Sequence, residues 1–280
     1  MRLIDAHAHL NADRFDDDVD AVIDAARRAG VERILVPGWS HRSSGRAVEI
    51  AAARPFLDAA VGVHPHDAAR VTPEEWTDIE SWARDERVLA IGETGLDADR
   101  MFSPWDAQLD NLRANLALAL ATGKPAILHC RSKPGERDAQ DALVREMRAA
   151  GFDGEPARQA FGGRPPAVIH SFSGPVDYAR EVVAMGLAVA FGGLVFRRGE
   201  EASAEAVALV PADRFLVETD APFLSPPGAP RGRNAPEFVV VSARWAAERR
   251  GVGEDGLDAF GGALVAAYDA TFRRTSPRPG

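Results

Sequence analysis

Two histidines stand close together near the start of the chain. The segment RLIDAHAHL places His7 and His9 one residue apart in an apolar run that predicts a β-strand, and only 7 of the 280 residues are histidines. Side chains two residues apart on a strand point to the same face of the sheet. Neutral imidazole is a common metal ligand. The pair therefore fits a metal site, and it fits two histidines packed in a core equally well.

Five further polar side chains stand at or just past the ends of short apolar runs. They are His64 in VGVHPH, Glu93 in AIGETGLD, His129 in ILHCR, His170 in VIHSFSG and Asp220 in LVETDAP. Strand stability requires none of these residue types at those positions. Several imidazoles together with two carboxylates fit a site for one or two divalent metal ions.

The elements that must position these residues alternate along the chain. Eight apolar runs, from RLIDAH to RFLVET, are separated by helix-like stretches that often begin with Asp, Ser or Thr and end with Gly. Strands that alternate with helices pair in parallel. Eight such units predict a (β/α)8 barrel, with residues 1–280 as a single domain. A doubly wound open sheet is the alternative, but no glycine-rich phosphate motif follows the first strand.

The predicted barrel would bring these residues, which are far apart in the sequence, together at one site. The carboxyl ends of all eight strands converge on one face of such a barrel, where active sites are built. We therefore expect the seven histidine and carboxylate positions named above to lie together there. The segment Gly151–Pro166 lies between a helix and a strand, so we expect it on the opposite face, away from the chemistry.

Composition narrows the class of protein. The net charge of −9 argues against a broad basic surface that grips many phosphates of nucleic acid. The single cysteine, Cys130, excludes a disulfide within the chain and fits a cytoplasmic location; we expect it to be buried. No apolar run reaches the ~18 residues of a membrane span.

The motifs resemble those of the TatD family of metal-dependent deoxyribonucleases, within the amidohydrolase-like barrels. IDAHAHL, GVHPH, IGETGLD, ILHCR, IHSFSG, ETDAPFLSP and RGRNAP occur in the family's order and at similar spacing over nearly the whole chain. The resemblance implies a hydrolase of phosphodiester bonds, a DNase or exonuclease acting on DNA ends or short single strands. We expect no membrane association and no obligate protein partner.

The resemblance also implies a centre of two divalent metal ions, Mg²⁺, Mn²⁺ or Zn²⁺. One ion would be held by His7, His9 and Asp220 and the other by His129 and His170, with Glu93 bridging them and His64 contacting substrate phosphate or lining the pocket. Related barrels often use a modified lysine as the bridge. Neither lysine of this chain, Lys124 or Lys133, stands at the end of the fourth strand, whereas Glu93 does.

Residue chemistry suggests how such a centre would work. Asp220 could take a proton from the attacking water. Asp220 and Glu93 are the predicted catalytic carboxylates. Asp5, two residues before His7, could hydrogen-bond a ligand imidazole or simply pack. Arginine suits phosphate oxygens, and Arg131 is the predicted phosphate contact among the loop arginines Arg131, Arg197, Arg198, Arg231 and Arg233.

Two other functions stay open at this point. The same metal-activated water could hydrolyse a C–N or ester bond, since barrels of this kind host many chemistries. A barrel that only binds its ligand is the non-catalytic alternative, although every predicted ligand type is present.

Overall fold

The computed structural model describes residues 1–230 and 232–273. Eight parallel strands form one sheet in the order of the sequence, from β1 to β8. The strands are β1 (Leu3–Asp5), β2 (Val31–Pro37), β3 (Leu57–Val61), β4 (Val88–Asp97), β5 (Ala126–Arg131), β6 (Ala167–Ile169), β7 (Ala188–Phe191) and β8 (Phe215–Val217). The predicted (β/α)8 barrel is confirmed.

Helices follow the strands and cover the outside of the barrel. They are α1 (Val19–Arg28), α2 (His41–Ala53), α3 (Pro73–Trp82), α4 (Trp105–Thr122), α5 (Asp138–Ala149), α6 (Glu155–Phe161), α7 (Val176–Ala184), α8 (Glu201–Ala206), α9 (Val239–Arg249) and α10 (Leu257–Phe272). Capping signals in the sequence mark some of the helix ends. Thr72 and Glu75 form a reciprocal capping box at the start of α3, and Gly123 ends α4 in the left-handed conformation.

The barrel closes where the chain beyond β1 meets the chain beyond β8. The Ala6 amide donates to the Val217 carbonyl at 3.0 Å, and Ala8 pairs with Ala221 in a parallel bridge. We call this closing line, residues 6–9 with 217–221, the seam. Helix α10 packs across β1 and β8 on the outside of the seam.

Segment 151–166 forms a structured connection between α5 and β6. It contains helix α6, and the side chains of Phe152 and Phe161 are buried in the core. The Arg164 guanidinium donates to the Gly123 carbonyl just before β5, and Pro166 accepts from the amide of Ala126 at the start of β5. The segment therefore lies at the amino ends of β5 and β6, where its prediction placed it.

The position of Glu93 also differs from the prediction. Strand β4 does not end before Glu93 but continues to Asp97, and its pairing with β5 shifts register between Ile91 and Thr94. Gly95 permits this close pairing of β4 with β5, because its φ is +136° and a Cβ there would lie 1.9 Å from the His129 carbonyl oxygen. The irregularity turns the Glu93 side chain inward from within a strand.

Candidate metal centre

His7 and His9 lie on the seam rather than on β1 itself, which ends at Asp5. The Ala8–Ala221 bridge keeps this stretch extended, so the two imidazoles point the same way, as predicted. Both rings are buried, and their Nε2 atoms are 3.2 Å apart. Two ring nitrogens at this separation face a common point inside the barrel mouth.

Asp220 faces the same point from the other side of the seam. Its amide donates to the His7 carbonyl at 2.9 Å, and its φ of 56° turns the side chain inward. Its Oδ1 lies 3.4 Å from the Nε2 of His9 and 3.8 Å from that of His7. Left-handed backbone is uncommon for residues other than glycine, although Asp tolerates it better than most. The hydrogen bonds of the seam hold it there.

Glu93 completes this first group of donors. Its Oε2 lies 3.3 Å from the Nε2 of His7 and 3.5 Å from that of His9. The Nε2 atoms of His7 and His9 thus lie 3.2 Å from each other and 3.3–3.8 Å from the carboxylate oxygens of Glu93 and Asp220. Ligands about 2.0–2.1 Å from a tetrahedral zinc ion would be roughly 3.3–3.4 Å from each other. The spacing fits a divalent ion.

The second oxygen of Glu93 faces a different set of nitrogens. Oε1 lies 2.9 Å from the Nε2 of His170, 3.2 Å from the Nε2 of His64 and 3.3 Å from the Nδ1 of His129. One carboxylate therefore stands between two groups of imidazoles and gives one oxygen to each. This is the arrangement expected of a residue that bridges two ions.

The hydrogen bonds of His129 and His64 indicate different roles for the two residues. The Nε2 of His129 lies 3.2 Å from a carboxylate oxygen of Asp97, so Nε2 carries the proton and Nδ1 presents a lone pair to Glu93. Two acceptors 3.3 Å apart are stabilised by a cation between them. The Nδ1 of His64 instead accepts from the His66 amide at 3.1 Å, which leaves its Nε2 as a donor. His129 fits a metal ligand, whereas His64 fits a donor to a substrate oxygen.

Asp97 is a residue of the site that sequence reasoning missed. It is fully buried, and its Oδ2 lies 2.7 Å from the Nε2 of His66 and 3.5 Å from the Nη1 of Arg131. Burial alone would raise the pKa of Asp97, but its bonds to His129, His66 and backbone amides lower it well below its usual range. Asp97 therefore stays ionised and fixes the rings around it. The pattern GLD, adjacent to Glu93, is the signal that could have revealed it.

Glu218 was missed in the same way. It is fully buried between the end of β8 and Asp220 in the chain. Its Oε1 accepts a hydrogen bond from the Ser171 amide at 2.5 Å and lies 3.5 Å from the Nδ1 of His170. Burial opposes charge on His170, yet the negative charges of Glu93 and Glu218 raise its pKa well above the ordinary value. Glu218 stands two residues before Asp220 in LVETDAP, and this closeness is the signal that could have revealed it.

Asp5 hydrogen-bonds to backbone amides and to the Thr219 hydroxyl and not to an imidazole. Its Oδ1 accepts from the amides of Thr219 and His7, and its Oδ2 accepts from the Thr219 hydroxyl at 2.6 Å. Burial raises the pKa of Asp5 to about 8 despite these three bonds. Of the two predicted roles, the structure supports packing: Asp5 ties β1 to the chain after β8 and so braces the seam.

Burial determines the direction of the pKa shift at His64, His7 and Cys130. It lowers the pKa of the His64 imidazole to about 3, and it also lowers the pKa of His7. Neutral rings are the forms that can ligate a cation or donate one hydrogen bond. Cys130 is buried, as predicted, and burial raises the pKa of its thiol to about 12. This thiol is therefore a poor nucleophile.

The donor groups described above open into a cleft of about 1170 Å³. Arg131, Lys133 and Arg198 line it, whereas Arg197 lines a separate groove and Arg233 pairs with Asp18. Arg231 lies outside the described residues. Of the predicted arginines, Arg131 is thus placed beside the donor groups and Arg198 on the cleft wall.

Comparison with known proteins decides the family. The model of the TatD related DNase family matches residues 4–261. The chain belongs to this family. A metal-dependent hydrolase of Bacillus subtilis, YabD, is similar to this TatD-family chain at 37% identity over 246 residues, covering 88% of the chain and 90% of YabD. The resemblance read from the motifs is confirmed, and so is the prediction of a metal-dependent hydrolase.

Further similar proteins point the same way. The 3'-5' ssDNA/RNA exonuclease TatD of Pantoea vagans is 36% identical over 256 residues, with 89% of this chain and 92% of that protein covered. The crystal structure of YJJV, a TatD homologue from Escherichia coli K12, superposes with a TM-score of 0.84 at 26% identity and covers 98% of both chains. Both similarities extend over most of the chain.

Proposed function

We propose that this protein is a metal-dependent exonuclease that hydrolyses phosphodiester bonds at the ends of single-stranded DNA or RNA. The observation that carries the proposal is the placement of Glu93 between two groups of imidazoles, one group for each of its oxygens. Two-metal sites of this kind serve in-line displacement at phosphorus. The relatives named 3'-5' ssDNA/RNA exonucleases favour a nucleic-acid substrate over a C–N or ester bond.

The donor set suggests which residues hold the ions. His7, His9 and Asp220 would hold one, His129 and His170 the other, and Glu93 both. The ions would supply Lewis-acid stabilisation of charge on the phosphoryl oxygens. Three or four imidazoles suit Zn²⁺, and carboxylates with phosphate also suit Mg²⁺ or Mn²⁺. We therefore propose two divalent ions from this group of three.

The chain's own residues would then perform the remaining steps. Asp220 accepts the proton of the attacking water, because its carboxylate reaches into the cleft while its backbone is fixed by the seam. His64 donates through Nε2 to a phosphate oxygen. Arg131, whose Nη1 lies 3.5 Å from Asp97, binds phosphate from the rim of the cleft.

Kinetics on a short single-stranded oligonucleotide test these roles. Asp220→Asn should lower kcat by ~10²–10⁴-fold while at least one metal stays bound, since Asn keeps an oxygen but loses the base. Arg131→Ala should raise KM with little change in kcat, because it grips phosphate equally in ground and transition states. Arg28→Ala, an exposed position at the end of α1, is the matched control.

The wild-type protein decides between the substrate classes. Single-stranded DNA, RNA and a panel of amides and esters are assayed with Mg²⁺, Mn²⁺ or Zn²⁺. Cleavage of the amides or esters alone would overturn the nuclease proposal. Near-normal kcat in metal-loaded Asp220→Asn would remove Asp220 as the base and leave Glu93 as the remaining candidate carboxylate.

Two broader proposals accompany this one. We propose that residues 1–280 act as one domain, since α10 packs back on β1 and β8. We also propose a cytoplasmic location, which rests on the single cysteine. Within the residues that the structure describes, no helix has the length and apolar character needed to cross a membrane.

A further inference from the structure

In the part of the chain that the structure describes, the exposed phenylalanine side chains lie at one cleft. Among the described residues, the exposed large hydrophobic side chains are Met101, Phe102 and Phe223, at 44%, 62% and 45% of their surface. Phe102 and Phe223 both line the cleft into which the donor groups open, and Met101 precedes Phe102 in the chain. Exposed apolar groups that cluster at one site mark a ligand or partner surface.

Phe102 lies beside the group of imidazoles that faces Oε1 of Glu93. Its ring stands at 77° to the ring of His66, with centroids 4.7 Å apart. His66 in turn lies against His64, whose ring centroid is 4.3 Å away. The phenyl ring is thus one side chain removed from the predicted phosphate contact, and more than half of its surface is open to solvent.

Phe223 lies on the other side, beside the donors that face Oε2 of Glu93. Its ring stands at 74° to that of His9, with centroids 5.7 Å apart, and its residue follows Asp220 by three positions. The guanidinium of Arg14 lies 5.5 Å from the ring centroid. Arg14 also donates to the Gly232 carbonyl, which fixes it in place.

Neither ring is covered by a parallel aromatic partner within the described ranges, since both contact their histidines nearly perpendicularly. A planar ligand can therefore stack on the exposed part of either ring, which for Phe223 excludes the face covered by the Arg14 guanidinium. Nucleobases are planar and apolar on their faces, and stacking of a base on an aromatic side chain is tolerant of sequence. The two rings flank the position where the scissile phosphate would lie, one on each side of Glu93.

We propose that Phe102 and Phe223 are stacking platforms for the two unpaired bases on either side of the phosphodiester bond. The smallest good substrate would then be a dinucleotide step of a single strand, because in a duplex both base faces are covered by neighbours. The inference rests on the proposed nuclease function and adds to it the reason for single-strand preference. It also explains how a chain of net charge −9 holds nucleic acid with few phosphate contacts.

The test uses Phe102→Ala and Phe223→Ala on a short single-stranded oligonucleotide. Each should lower kcat/KM by about 5- to 150-fold, the range for loss of one stacked base. Phe102→Trp and Phe223→Trp are the matched variants and should retain most of the activity. Both positions carry exposed side chains, so the fold is expected to persist in all four variants, and circular dichroism checks it.

Abasic substrates separate stacking from any other effect. Oligonucleotides that lack the base on one side or the other of the cleaved bond are compared. The loss caused by Phe102→Ala should disappear on one abasic substrate, and the loss caused by Phe223→Ala should disappear on the other. An equal loss on intact and abasic substrates would overturn the inference.

Binding measured without turnover keeps this inference distinct from the proposed function. Fluorescence anisotropy of a labelled oligonucleotide in EDTA should show weaker binding by both alanine variants, with an unchanged dependence on salt. If wild-type protein cleaves no nucleic acid but the variants bind it less well, the proposed function fails and the stacking sites stand. If the variants bind normally and only dissociate an oligomer in ultracentrifugation, the patch is an interface between copies and the stacking inference is wrong.

Discussion

The substitution Asp97→Asn tests how the barrel prepares His129. In the wild-type structure Asp97 makes two kinds of contact. Its Oδ1 accepts from the amides of Asp99 and Arg100 at 3.0 and 2.8 Å, and its Oδ2 lies against the Nε2 atoms of His66 and His129. Asn can keep the first pair of bonds with its oxygen. Its nitrogen then faces two ring N–H groups and cannot accept from either.

The expected consequence is a change of tautomer at His129. With no acceptor behind Nε2, the proton is no longer held there, and Nδ1 loses its fixed lone pair toward Glu93. Loss of an outer partner of a metal-bound histidine typically costs 10–100-fold in metal affinity, which is about 1.4–2.7 kcal/mol. Only the metal affinity of the site that contains His129 should fall, because Asp97 contacts neither His7 nor His9.

Calorimetric titration of metal-free protein with Zn²⁺ measures both sites. We expect one of two affinities to fall by 10–100-fold in Asp97→Asn and the other to stay within about twofold. Asp106→Asn, at an exposed position in the first turn of α4, should leave both unchanged. If Asp97→Asn lowers the melting temperature but leaves both affinities intact, Asp97 only supports the fold and the tautomer argument is refuted.

Three shorter predictions concern stability and reactivity. Removal of metal with EDTA should lower the melting temperature by roughly 5–10 °C, since ions at 100 times Kd stabilise the folded state by about 2.7 kcal/mol; an unchanged scan would argue that the site binds no metal. Phe161→Ala should destabilise the protein by about 3–5 kcal/mol in urea unfolding, yet leave kcat unchanged, because α6 lies at the amino ends of the strands; a fall in kcat of the folded variant would contradict that placement. Cys130 should resist iodoacetamide at pH 8 until the protein is unfolded, because a thiol with a pKa of about 12 holds roughly one part in 10⁴ as thiolate; rapid labelling of the native protein would show that the thiol is exposed or activated.

The strands and the polar residues near their ends could be predicted from the sequence because both are local signals. An apolar run of a few residues followed by a His or Asp is visible within one window of sequence, and the alternation with helices then gives the topology. The segment around His129 is an example: ILHCR forms β5, and its histidine points into the mouth of the barrel.

The rest could not be predicted because it depends on contacts between distant elements. The importance of Asp97 follows from His66 and His129, which lie on separate loops and strands and meet only in the folded barrel. Glu93 lies inside β4 because the register of β4 against β5 shifts, and no periodicity in one strand reports its register against another. The exposure of Phe102 is likewise a property of its surroundings rather than of its type.

The seam also determines when the metal centre can exist. His7 and Asp220 are 213 positions apart in the chain, and the hydrogen bond from the Asp220 amide to the His7 carbonyl joins them. A ribosome adds about 5–20 residues per second, so some 10–40 s separate the synthesis of the first ligand from that of the last. A nascent or truncated chain that ends before β8 lacks Asp220 and the closing edge of the sheet. Activity of this fold therefore requires a chain that extends through β8 and Asp220, and a fragment of residues 1–210 should cleave nothing at any metal concentration.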